Sequence, residues 1–217
     1  MRIHIIAQGS FGPAVASRIE QLSAAHHTVT TTRATPSALL AACWPAADLR
    51  VLITGRESRK LVEYVDRCAH EERTDFLSIS RDHPRLFLGP LVLPGRTACA
   101  TCACGRADQH DAARAASQPL RDAYDRDLDL EPGGFLPSHV GMAAAYALEI
   151  AEELHVTGDS ERAGTISQVN LHDGSMRRST VVGIHGCPRC RTTPPLSESS
   201  WQNLTHLGLS MVGEQRG

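Results

Sequence analysis

The sequence predicts an α/β fold: a Rossmann-like, mostly parallel sheet with a C-terminal antiparallel hairpin and a four-cysteine zinc knuckle pair. Three observations carry this. From residue 2 to residue 79, short apolar or β-branched runs alternate with stretches of helical periodicity. Asp173-Gly174 stands between two strand-like runs, a strong hairpin turn signal. Two C-x-x-C pairs, Cys99-Ala100-Thr101-Cys102 and Cys187-Pro188-Arg189-Cys190, enclose a segment with only one further cysteine, Cys104.

Taken in order, Arg2 to Ala7 reads as a buried strand running into the turn Gly9-Ser10-Phe11-Gly12. Val15, Ile19 and Leu22 then recur at helical spacing. Thr28 to Thr32 is rich in β-branched residues and reads as a second strand. A short helix is expected over Ser37 to Cys43, a third strand over Leu49 to Ile53, and a helix from Glu57 to about Cys68 with Leu61, Val62, Val65 and Cys68 on one side. Phe76 to Ile79 is the next strand, and the alternation implies right-handed crossovers in a parallel sheet. After Pro84 the pattern changes. Arg85 to Leu93 gives one or two short strands around Gly89-Pro90 that deliver the first cysteine pair.

Residues 105–136 are polar, with Asp122, Asp125, Asp127, Asp129 and Glu131 interleaved with Arg121 and Arg126, and are expected to form a mobile, solvated crossover loop. Ser138 to about His155 is the longest helix, where Ala143, Ala144, Ala145 and Ala147 allow close packing and Val140, Leu148, Ile150 and Leu154 add bulk. Strands from Thr165 to Leu171 and from Met176 to Ile184 form the hairpin that ends at the second cysteine pair. Residues 1–191 are thus expected as one domain and 192–217 as a tail with a weak apolar stretch, Leu204, Leu207, Leu209 and Met211.

Composition narrows the function classes. With 22 Lys and Arg against 24 Asp and Glu the net charge is −2, which leaves no electrostatic footprint for nucleic acid. No apolar run is long enough to span a bilayer, and the opening Met1-Arg2-Ile3-His4-Ile5-Ile6 is a strand rather than a signal peptide. Seven cysteines without an export signal point to a reducing cytoplasm, where paired cysteines are more often metal ligands than disulfides.

Each C-x-x-C turn presents two thiolates to one ion, and two such knuckles complete a tetrahedral site. A disulfide or redox use of either pair is the alternative, but it does not explain the shared spacing. Cys99, Cys102, Cys187 and Cys190 are the expected ligands of a closed, structural Zn2+ site; Cys104 either shadows that site or is a free thiol. Cys43 and Cys68 are expected in the core. Of the histidines, His26-His27 are expected at a helix end, His139 is a candidate cleft residue with capping as the plainer role, and His185 is a candidate hydrogen-bond partner for a thiolate.

The order of parts resembles the ThiF/MoeB-like, ubiquitin-activating superfamily of adenylating enzymes. The stretch Leu88-Gly89-Pro90-Leu91-Val92-Leu93-Pro94-Gly95-Arg96-Thr97-Ala98-Cys99, taken with Cys187-Pro188-Arg189-Cys190, is most similar to the ThiF-like partner proteins of thiazole/oxazole-modified peptide biosynthesis. The resemblance runs from Met1 to Arg191, the first third in pattern only. It implies a structural zinc and a scaffolding role beside a YcaO-type cyclodehydratase or another modifying enzyme, with a precursor (leader) peptide as further partner and a homodimer or heteromeric complex as assembly. Longer members carry an N-terminal winged-helix-like peptide-binding domain, whereas this sequence opens on its first Rossmann strand. Leader capture is then expected through a separate protein or by strand addition to a sheet edge.

Departures from the adenylating pattern bear on activity. Gly9, Ser10, Phe11 and Gly12 stand where a phosphate-cradling turn is wanted, but Phe11 and Pro13 replace a tight, donor-rich loop. The second strand ends Thr30-Thr31-Thr32-Arg33 with no acidic residue for a ribose, and the only lysine, Lys60, lies inside a helix. No cysteine between residues 105 and 186 can carry a thioester. The expectation is an accessory protein with a vestigial nucleotide loop and no catalytic residue. The alternative is an ATP-dependent adenylyltransferase acting on a peptide or carrier-protein carboxylate; a nicotinamide oxidoreductase leaves the knuckles unexplained.

Overall fold

The computed structural model describes residues 1–190. The tail 192–217, including the apolar stretch from Leu204 to Met211, lies outside the described residues.

Four parallel strands come first: Arg2–Ala7 (β1), Thr28–Arg33 (β2), Leu49–Thr54 (β3) and Asp75–Asp82 (β4). Arg85–Val92 (β5), Thr165–Asn170 (β6) and Met176–Thr180 (β7) extend the sheet antiparallel, in the order β2-β1-β3-β4-β5-β6-β7. The expected α/β class and terminal hairpin are therefore present. Every residue of β3 is buried, as befits a central parallel strand covered on both faces.

Helices Phe11–Leu22 (α1) and Pro137–Thr157 (α5) pack on one face of the sheet, and Arg59–Glu72 (α2) and Ala100–Gln109 (α3) on the other. Alternation along the strands assigns the layers: Ile3, Ile5, Val51 and Ile53 face α1 and α5, whereas Ile6 and Leu52 face α2. The alanines of α5 do what their size allows, with Ala143, Ala144, Ala147 and Ala151 all buried in the first layer. Pro137 opens this helix where its missing donor costs nothing, and Gly158 closes it in the left-handed conformation, φ +68°. Among the described residues no helix is long and apolar enough to cross a membrane.

One buried polar cluster sits on the second face. His4 Nε2 lies 2.8 Å from Thr32 Oγ1, and the Arg50 guanidinium meets both His4 Nδ1 and the Glu72 carboxylate. Burial, with Arg50 adding to it, lowers the His4 pKa to about 4, so the ring is a neutral acceptor.

Several expected elements differ. Ser37 to Cys43 forms only a single 3-10 turn at Ala41–Cys43, because the run between Pro36 and Pro45 is too short to repay helix nucleation. Without a helix face to bury it, Cys43 is exposed; Cys68 is in the core as expected. The second hairpin strand stops at Thr180 rather than Ile184. Segment 105–136, expected as a loop, continues α3 and adds a further helix, Arg114–Arg126 (α4), which carries Pro119 inside it. No residue of α4 is fully buried, so apolar periodicity had little to record. His26 and His27 lie beyond the end of α1, in the turn leading to β2, rather than on a helix terminus.

Candidate metal centre and nucleotide crevice

Cys99 is the N-cap of α3, so Cys99 and Cys102 bracket that helix's first turn. The second knuckle returns from β7 to meet it. Sγ separations are 3.8 Å for Cys99–Cys187, 3.4 Å for Cys102–Cys190 and 3.6 Å for Cys187–Cys190, and all four sulfurs lie within 4.8 Å of one another. Four thiolates about 2.3 Å from a tetrahedral Zn2+ stand about 3.8 Å apart, whereas a disulfide requires about 2.05 Å. The donor set and its spacing fit a closed metal site, and its softness favours zinc among common ions. Cys99, Cys102 and Cys190 are buried; Cys187 is half-buried. Burial pushes the Cys99 thiol well up and Cys190 to about 11; at Cys187 burial also acts upward, but hydrogen bonds from the Cys190 and Arg189 N–H groups and from the Cys102 and Cys190 thiols together bring it to about 7. Cys104 is outside the cluster, with burial raising its thiol to about 11.

The surrounding shell comes from a residue that sequence reasoning missed. Asp66, on the inner face of α2 with its side chain 1% exposed, accepts from the backbone N–H groups of Ala100 (3.2 Å) and Thr101 (3.3 Å) and from the Thr101 hydroxyl (3.1 Å). It also pairs with Arg189 of the second knuckle at 2.6 Å. One carboxylate thus ties α2, the start of α3 and both knuckles together. The Ile184 N–H donates to Cys102 Sγ at 3.3 Å, whereas His185 is exposed and makes no hydrogen bond to a thiolate among the described residues.

The second region lies at the carboxyl ends of the parallel strands. The sheet order reverses between β1 and β3, which is where an open α/β sheet leaves a crevice for nucleotide. Gly9 follows β1 with φ +69°, Gly55 follows β3, and the Glu131 carboxylate lies between them. A Cβ built on Gly9 would stand 1.9 Å from Glu131 Oε2, and one on Gly55 2.3 Å from it. Glu131 Oε1 accepts from the Ser10 N–H at 2.6 Å, so the donor at the mouth of α1 is already engaged by an anion of the chain itself.

Two buried arginines hold the covering segment in place. Arg56, directly after Gly55, donates to the carbonyls of Tyr124 (2.7 Å) and Asp127 (2.8 Å), with its guanidinium 4.4 Å from the Tyr124 ring centroid. Burial lowers the Arg56 pKa, with Asp125, Asp127 and Glu131 among the groups that oppose this. Arg81 on β4 donates to the carbonyls of Pro132 (2.8 Å), Gly55 (3.3 Å) and Gly134. Gln8 Nε2 adds a bond to Leu128 O at 2.5 Å, and Phe135 packs edge-on against Phe11 with ring centroids 5.5 Å apart. Glu131 is accordingly not part of a solvated acidic face.

The candidate loop residues divide by role. Gly12 is required for packing, since a Cβ there would lie 2.8 Å from Ile53 O and 2.9 Å from the Ala7 carbonyl carbon. Phe11 is buried in the core, and Ser10 precedes α1 without a side-chain capping bond, its N–H given to Glu131. His139 is buried near the start of α5, where Nδ1 accepts from the Leu136 N–H at 3.4 Å; burial, then Arg81 and His83, lower its pKa. It serves as a cap. Doublets such as Gly55-Arg56, and an arginine inside the apolar strand of β4, were the available signals for the buried clamp.

Neither a protein-family model nor a curated protein sequence matches this chain. Solved structures do share its fold. A heterocyclase in complex with substrate and cofactor superposes with a TM-score of 0.64 at 15% identity, covering 91% of this chain and 26% of the heterocyclase. The heterocyclase TruD gives 0.60 at 18% identity over 87% of this chain and 27% of TruD. The microcin C7 biosynthetic enzyme MccB, in complex with N-formylated MccA, gives 0.61 at 14% identity over 87% of this chain and 67% of MccB. The chain therefore shares its fold with part of each of these proteins, and spans about a quarter of the two heterocyclases.

Proposed function

We propose that this chain is a degenerate ThiF-like partner protein of ribosomal peptide natural-product biosynthesis, of the thiazole/oxazole or thiopeptide-like kind. It binds a YcaO-type modifying enzyme, a precursor peptide, or both, in the cytoplasm, and leaves ATP chemistry to the enzyme. Its four-cysteine centre carries zinc as a structural element; a closed four-thiolate shell leaves no position for substrate. The observation that carries the non-catalytic reading is Glu131. Its carboxylate lies between Gly9 and Gly55 and takes the Ser10 N–H, so a phosphate would have to displace this carboxylate, which stands on a segment held by two buried arginines.

Heterocyclases and MccB sharing the fold supply the peptide-modification context for this reading. A cyclodehydration assay with a YcaO-type enzyme and precursor peptide from the same genome tests it. Stimulation by the added chain, without ATP consumption by the chain alone, supports the proposal; an unchanged rate with no co-purification of either partner refutes it. The second reading, an adenylyltransferase, has one observation in its favour. Gly9 keeps the left-handed turn after β1 that brings backbone close to a bound anion.

A further inference from the structure

On the α1–α5 side of the molecule, two imidazoles converge on one carboxylate, with a third ring stacked beside them. The turn before β2 carries His26 and His27, and the last turns of α5 carry Glu152 and, three residues on, His155. Residues three apart on a helix share a face, so Glu152 and His155 project together. His26 Nε2 and His27 Nε2 lie 2.8 and 3.1 Å from the same Glu152 Oε2, and the three ligand atoms fall within 4.8 Å of one another. The His155 ring stacks on His26 with centroids 4.9 Å apart and meets His27 edge-on at 5.6 Å.

We infer that His26, His27 and Glu152, with His155 beside them, form a second metal site, for a borderline divalent transition ion of the zinc class. Imidazole and carboxylate are the donors such ions accept, and ligands about 2.0–2.2 Å from one tetrahedral ion stand about 3.3–3.6 Å apart, a small outward shift from the 2.8 and 3.1 Å found. His27 is the inner member of the cluster: its side chain is 2% exposed and its Nε2 faces Glu152. His26 and Glu152 are about half exposed, which gives the ion an entry path and leaves a position for water.

The buried Nδ1 of His27 has no hydrogen-bond partner. Metal-bound histidines ordinarily fix that nitrogen through a second contact worth roughly 10–100-fold in affinity. The site should therefore bind in the micromolar range, well below the four-thiolate centre. It lies on different elements from the cysteines and would pin the turn before β2 to the end of α5.

The test is a calorimetric Zn(II) titration of the untagged chain after its four-thiolate site has been filled. A second equivalent with micromolar affinity is expected. Glu152→Gln and His26→Ala should each weaken it by about tenfold or more while leaving the first equivalent intact. Because His26 and Glu152 are surface residues, circular dichroism of these variants should be native, unlike a replacement of buried His27. A single equivalent only, or a second one that survives both substitutions, overturns the site.

Discussion

Arg189, inside the second knuckle, donates to Asp66 of α2 at 2.6 Å across 123 residues of chain. The same carboxylate holds the first turn of α3, so the metal centre is joined to the Rossmann layer by one buried acid. Asp66→Ala leaves an arginine and three donors without their acceptor. A loss of about 3–5 kcal/mol is expected, with faster zinc release in a chromogenic-chelator assay. Wild-type stability and release in this variant would remove Asp66 from the metal centre's support.

Metal removal is expected to weaken the whole domain. Binding free energy at a structural thiolate site is folding free energy, and the knuckles join α3 to the end of β7. Treatment with a strong chelator should lower the melting temperature by roughly 10 °C or more, a loss of several kcal/mol at this chain length. Four additional thiols should become titratable per chain.

His4 gives stability a pH dependence of definite sign. Its ring is neutral in the fold with a pKa of about 4, against an ordinary 6.5 in the unfolded chain. Between those values the unfolded state binds more protons. The contribution is present in full above pH 6.5 and is lost as pH falls towards 4, about 3 kcal/mol in all. Asp75, whose carboxyl burial raises to about 6, works in the opposite direction. The difference between wild type and His4→Gln isolates the first effect: denaturant melts at pH 4.5 and 7.5 should show a smaller acid loss in the variant.

Gly12 and Gly55 should respond differently to alanine. At Gly12 the new Cβ meets backbone at 2.8 Å, which cannot move aside, so Gly12→Ala should lower global stability by about 2–4 kcal/mol. At Gly55 it meets the end of the Glu131 side chain, which can swing out. Gly55→Ala should leave the core melt nearly unchanged and accelerate hydrogen exchange over residues 127–135. Equal global destabilisation by both would contradict the placement of Glu131.

The parts legible in the sequence are those encoded over short distances. Strand and helix alternation, the Asp173-Gly174 turn and the two C-x-x-C spacings each lie within a few residues, and each is present in the fold. What escaped depends on partners far away. Glu131 meets Ser10 across 121 residues, and Arg56 meets Asp127 across 71, so a polar acidic stretch looked solvated until the sheet brought its receptor to it. Asp66 escaped for the same reason: an acid among Val62, Val65 and Ala69 reads as a helix-edge residue until the knuckles fold over it. Helix α4 escaped because its apolar stripe, Ala116, Leu120, Ala123 and Tyr124, is thin and set among charges such as Arg121, which pairs with the distant Glu57 at 2.9 Å.

The most direct test of the central claim is calorimetric titration of Mg–ATP into the wild-type chain with its zinc content confirmed. The expected result is no binding up to millimolar nucleotide, because Glu131 and its arginine-held segment fill the crevice. Micromolar binding that places nucleotide against Gly9 and Gly12 would contradict the partner-protein reading and make this turn an active site.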